Sequence, residues 1–188
     1  MKIVLIDPPT SFEQIYGDWD LSALDTYCPP LGLLSMAAYV RAHGHEPQVI
    51  DMDARKWDVG RAVAHTLAAE PGIVGISAKT INIFNAARIA SALKAAGCKG
   101  RIVLGGAHVT AVPEETMKRF TAFDCAVLGE GEEALLELAE SAGPGRHDPD
   151  IRGLAWRDGR GRVAVNQRRE PIQDLDALPF PAWDLLPD

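Results

Sequence analysis

At 188 residues the chain is long enough for one well-filled core with a small addition, because single domains cluster near roughly 100–150 residues. Its 47% hydrophobic and 24% charged residues are an ordinary globular balance that excludes disorder along most of the length. A formal net charge of −7 removes the broad positive field of a nucleic-acid binder, so neither DNA nor RNA is an expected partner.

The first apolar run, "KIVLID" at 2–7, is short, rich in β-branched residues and not alternating, which is how a strand buried on both faces reads. It is too short for the core of a signal peptide. No stretch of about 18 apolar residues occurs anywhere, so a cytoplasmic protein without a membrane span is expected. Leu33, Met36, Ala37 and Val40 then recur at three- and four-residue spacings, the period of a helix with one buried face. "PQVID" at 47–51 is a second strand, with 57–69 as its following helix. "GIVGIS" (72–77), "RIVLGG" (101–106) and "DCAVLG" (124–129) repeat the buried-strand pattern. The helical period returns at Ile83, Ala86, Ala90 and Leu93, and again at Leu135, Leu138, Ala139 and Ala142. Five strands alternating with five helices predict an α/β domain over residues 1–143, with a parallel sheet and helices on both faces.

After the Gly/Pro/polar loop "SAGPGRHDPD" (141–150), "IRGLAWRDGRGRVAVNQ" reads as a β-hairpin with its turn around Asp158 and Gly159, an appendage within 144–170. Residues 171–188 carry Pro171, Pro179, Pro181 and Pro187 and show no closing helix or strand, so they read as a connector toward a further domain. Cys28, Cys98 and Cys125 form no CxxC pair or cluster, and all three are read as free thiols.

In a parallel α/β sheet ligands bind beyond the carboxyl ends of the strands, near the switch in strand order. That edge holds Asp7, then Ser77, Lys79 and Thr80, then Gly105, Gly106 and His108, then Gly129, Glu130 and Gly131. Gly105 and Gly106 give up side-chain packing twice in succession, for a tight turn or because something large lies against the backbone. Gly129 to Ala134 formally satisfies the dinucleotide fingerprint GxGxxA. It follows the fifth strand instead of the first, however, and its glutamates would repel a pyrophosphate, so a glycine-rich turn into a helix is the simpler reading. A phosphoacceptor receiver would need an aspartate after the third strand and a lysine after the fifth, where Ser77 and Gly129 stand. Asp51 and Asp53 read as a solvated loop, and His43 and His45 as cations at a helix end. His108 is the one histidine on the ligand edge, either a turn histidine or a cofactor contact; Lys79 is either solvated or an anion contact.

Taken in order, "PPLGLLSMAAYVRAHGHEPQVIDMD", "GIVGISAKT", "IVLGGAHVTAVPEE", "DCAVLGEGEEALLEL", "IRGLAWRDGRGRV" and "DLDALPFPAWDLLP" closely resemble the N-terminal cobalamin-binding domain of cobalamin-dependent radical S-adenosylmethionine enzymes. The resemblance implies a flavodoxin-like, doubly wound five-stranded sheet of order 2-1-3-4-5. It also implies a cofactor tail that passes Ser77 and the pair Gly105 and Gly106, while Lys79, Thr80, His108, Gly129, Glu130 and Gly131 border the cofactor. A DxHxxG motif would place a histidine under cobalt after the first strand; "DPPTSF" stands there instead, which implies cobalamin held base-off with no protein histidine on the metal. The implied parent is a methyltransferase delivering methyl from methylcobalamin to an unactivated carbon. Its S-adenosylmethionine and 4Fe-4S cluster would belong to a downstream radical domain in cis. The competing expectation is a freestanding corrinoid carrier or sensor that acts through a partner protein in trans.

Overall fold

Parallel strands form where the contiguous apolar runs occur, because a strand covered on both faces needs no polar alternation. The structure, a computed structural model, describes residues 1–10, 27–141 and 150–187. β1 (Lys2–Asp7), β2 (Glu46–Asp51), β3 (Ile73–Ser77), β4 (Arg101–Gly105) and β5 (Cys125–Val127) pair in parallel. β6 (Leu154–Arg157) and β7 (Val163–Val165) continue the sheet antiparallel, giving seven strands in the order β2-β1-β3-β4-β5-β6-β7.

The expected count of five is therefore corrected to seven. The hairpin is no separate appendage: Cys125 stands opposite Trp156 and Val127 opposite Leu154, so β6 satisfies the edge of β5 that would otherwise carry unpaired backbone groups. Asp158 shapes the turn by accepting from the backbone N–H groups of Arg160 and Arg162, both at 2.9 Å.

The helices are α1 (Leu31–Ala42), α2 (Met52–Arg55), α3 (Val59–Ala69), α4 (Ile83–Ala95), α5 (Ala107–Ala111), α6 (Pro113–Arg119) and α7 (Glu132–Glu140). The helix expected over 57–69 is preceded by the single turn α2 and begins only at Val59, because Asp58 caps it, accepting from the Arg61 N–H at 2.7 Å. Between β4 and β5 the helix breaks in two, since Pro113 has no N–H to continue a ladder and suits the first position of α6. Ala142, most of the loop over 141–150, and Ser11 and Phe12 of "DPPTSF" lie outside the described residues.

One sheet face is covered by α1 and α7, where Leu33, Leu34, Leu135 and Leu138 bury against Ile3, Leu5 and Val103. The other face takes α3 to α6, through residues such as Val63, Ile89, Leu93 and Met117. Each fully buried leucine or isoleucine contributes about 1.5–3 kcal/mol. The connector folds back on α1: the Ala182 N–H donates to the Leu34 carbonyl at 3.1 Å, and Arg41 forks onto Asp184 at 2.7 and 3.1 Å. No helix among the described residues is long and apolar enough to cross a membrane.

Candidate functional site

α1 and α7 flank a cleft over the carboxyl ends of β3 and β4. Leu5, Leu33 and Met36 form one wall, and Val103, Val127 and Leu135 the other. Gly75, Ser77, Gly105, Gly106 and Gly131 supply the remaining surface. Its volume is about 40 Å³, room for water but not for a heterocycle. Two side chains account for the narrowness. Leu5 leans across its ladder partner Gly75, with Cδ2 2.7 Å from where a Cβ would stand. The Met36 sulfur lies 2.5 Å from the same point on Gly131.

The adjacent glycines turn out to have different reasons. Gly106 has φ +99°, and a Cβ there would stand 2.5 Å from the Ala78 carbonyl oxygen, so the protein's own backbone demands glycine. Gly105 has nothing within 4 Å of its Cβ position. It is paired with Ser77 in the ladder, and the Ser77 hydroxyl has no hydrogen-bond partner among the described residues. A free hydroxyl beside an open Cβ position is a place where the fold leaves room and a polar contact unused.

The other predicted residues are sorted by the same geometry. Lys79 and Thr80 are exposed on the rim. His108, expected in a loop or turn, sits in the short helix α5, where it is half-buried with Nδ1 3.2 Å from the Thr80 hydroxyl; burial lowers its pKa below the ordinary histidine value. Gly129 takes φ +78° at the end of β5 and donates its N–H to the Thr110 hydroxyl at 3.0 Å. Glu130 does not line the cleft and accepts from the Ile172 N–H at 2.7 Å. The glutamates of the GxGxxA stretch thus serve their own chain: Glu132 accepts from the Ser35 hydroxyl at 2.8 Å, and Glu133 pairs with Arg169 at 2.6 Å.

Two residues that sequence reasoning missed tie the edge together. The buried Asn82 accepts from the Lys79 N–H at 2.8 Å and donates to the Pro8 carbonyl at 3.3 Å, joining the loops after β1 and β3. Thr110 donates to the Gly106 carbonyl and accepts from Gly129, both at 3.0 Å, joining those after β4 and β5. Asp51 is also corrected: it is 1% exposed, not solvated, because its carboxylate caps α2 through the Ala54 N–H at 2.9 Å and accepts from the Tyr27 hydroxyl at 2.7 Å. Burial, and then that bond, push the Tyr27 pKa up to about 12. Beside it, Asp7 has its pKa pushed from 3.8 up to about 6, first by burial and then by the Asp51 charge, with Lys79 pulling the other way and Asp53 adding to the rise. Among the described residues no group of three or more His, Cys, Asp or Glu is arranged to hold a metal ion.

A larger groove of about 600 Å³ lies between α1, α7 and the connector, lined by Tyr39, His43, Glu133, Arg152 and Arg169 among others. None of the expected site residues lines it. Within it Arg169 bridges Glu133 at 2.6 Å, and it also reaches Glu137 of α7 at 2.7 Å.

A family model described as the B12 binding domain matches residues 20–139, more than half of the chain. The chain belongs to the B12-binding domain family. This B12-binding domain is 35% identical over its whole length to the uncharacterized methyltransferase PH0819 of Pyrococcus horikoshii, of which it covers 39%. It is 31% identical over 99% of its length to the anaerobic magnesium-protoporphyrin IX monomethyl ester cyclase of Rubrivivax gelatinosus, covering 33% of that protein. Its fold matches that of the cobalamin-dependent S-adenosylmethionine radical enzyme OxsB with aqua-cobalamin and S-adenosylmethionine bound, at a TM-score of 0.77 and 18% identity, over 98% of this chain and 24% of that one. The chain therefore spans well under half the length of the curated relatives it matches.

Proposed function

We propose that this domain holds cobalamin base-off, with the nucleotide tail in the cleft between α1 and α7, in a methyltransferase whose radical S-adenosylmethionine domain follows in the same chain. When bound, cobalamin supplies the methyl-transfer chemistry. This chain's residues would bind and orient it: Gly105 puts no side chain against the base once Met36 and Leu5 turn aside, and the unpartnered Ser77 hydroxyl offers it one hydrogen bond. Leu33, Leu135 and Val103 exclude water around that bond. Gly131, Thr80 and His108 border the mouth, Gly129 and Glu130 fix its loop, and Lys79 stands on the rim. In this reading no histidine among the described residues would be a ligand to cobalt.

The single observation that carries the reading is the Ser77 and Gly105 pair, because no contact within the protein requires a glycine at 105. Entry of the tail requires Met36 and Leu5 to turn aside, and methionine, unbranched and flexible, does so at small cost. The test is Gly105→Val in equilibrium dialysis with cobalamin. Uptake falls by at least about tenfold while the melting temperature stays near that of the wild type. Unchanged affinity in a folded Gly105→Val would place the tail elsewhere.

A further inference from the structure

The walls of the cleft carry information about which nucleotide base it admits, and this inference rests on the cobalamin reading above. Among the described lining residues, Ser77 is the one with a polar side-chain group. Leu5, Leu33, Val103, Val127 and Leu135 are 1–6% exposed and present only hydrocarbon. Two backbone carbonyls nearby are already used: that of Gly105 accepts from the Ala78 N–H at 2.9 Å, and that of Gly106 accepts from the Thr110 N–H and hydroxyl at 3.2 and 3.0 Å. The side chains of the cleft therefore offer a bound base one unspent hydrogen-bonding group, the Ser77 hydroxyl, in an otherwise apolar surround.

We propose that the domain selects corrinoids by the polarity of the lower base, taking a benzimidazole tail in preference to an adenine tail. A benzimidazole released from cobalt has a single free ring nitrogen, which one serine hydroxyl can satisfy, and a hydrocarbon ring that suits leucine and valine walls. Adenine brings an exocyclic amino group and two further ring nitrogens. Those groups leave water for a surface that cannot pair with them, and each one left unpaired weakens binding by roughly 5- to 100-fold. The selectivity comes from rejecting the polar base more than from any extra contact to the apolar one.

The experiment compares dissociation constants of the purified protein for cobalamin, its adenine-tailed analogue and cobinamide, which lacks the nucleotide. The expected result is that cobalamin binds at least about tenfold more tightly than either of the others. Val103→Thr, which adds one hydroxyl to the wall at similar shape, narrows the gap between the two tailed corrinoids. Adenine-tailed and benzimidazole-tailed forms binding within about threefold of each other, or a gap unmoved in a folded Val103→Thr, would overturn the base selection and leave cobalamin binding standing. Cobinamide binding as tightly as cobalamin would remove the tail from the cleft and the inference with it. Failure of all three to bind would overturn the cobalamin reading itself.

Discussion

The two halves of the sheet's carboxyl edge use polarity in opposite ways. At the ends of β1 and β2 the polar groups are acidic and mostly committed: Asp51 serves Tyr27 and the α2 cap, and Asp53 accepts from the Thr10 N–H at 3.0 Å. At the ends of β3 and β4 the chain presents a free hydroxyl, an open glycine position and hydrocarbon. Groups that already have partners shape the fold; the unspent ones are free to make a further contact, as the proposed cobalamin site requires. The carboxylates are the more conspicuous chemistry in the sequence, yet the quieter half of the edge forms the cleft.

The largest effect that would sharpen this contrast lies within the glycine pair. Gly106→Val puts a side chain into the Ala78 backbone at positive φ and should destabilise the fold by about 2–4 kcal/mol in urea unfolding, while Gly105→Val costs about 1 kcal/mol or less. Equal losses of stability would erase the distinction between a glycine that the backbone requires and one that it does not.

A smaller effect belongs to the acidic half. Asp7 has a folded-state pKa of about 6 against 3.8 unfolded, so the native state holds the proton more tightly and loses stability as pH rises through that interval. The penalty is complete above about pH 6 and absent below 3.8. Asp7→Asn should therefore stabilise the protein at pH 7.5 by about 1–2 kcal/mol, a figure reduced for partial exposure, with the gain vanishing near pH 3.5. A gain independent of pH would mean that Asp7 is ionised without cost.

The parallel strands were legible because burial on both faces writes itself as unbroken runs such as "KIVLID" and "RIVLGG". The attachment of the hairpin to β5 was not, since an unpaired strand edge consists of backbone groups and leaves no mark in side-chain pattern. Ser77 and the glycine pair could be placed at the strand ends from sequence, but the different reasons for the two glycines depend on Ala78, just beyond β3, approaching Gly106, which no local spacing encodes. Gly75 gave a readable signal, a glycine inside a strand, which marks the place where Leu5 crosses. Asp51 also stood in readable form, an acidic residue directly before a helical turn, and its role as a cap follows from that position. Met36 was recognisable as a buried-face residue of α1; its filling of the cleft depends on Gly131, just before α7 and far away in sequence.

If the tail lies between α1 and α7, its base cannot also sit on cobalt, and electron paramagnetic resonance of cob(II)alamin bound to the protein reads that difference. The spectrum should show no nitrogen splitting, in contrast to free cobalamin at neutral pH. Splitting that persists in the bound form of the wild type would contradict base-off binding. Its disappearance in His108→Ala would then identify His108 as the axial ligand, whereas its survival there would leave the benzimidazole on the metal and the cleft without its tail.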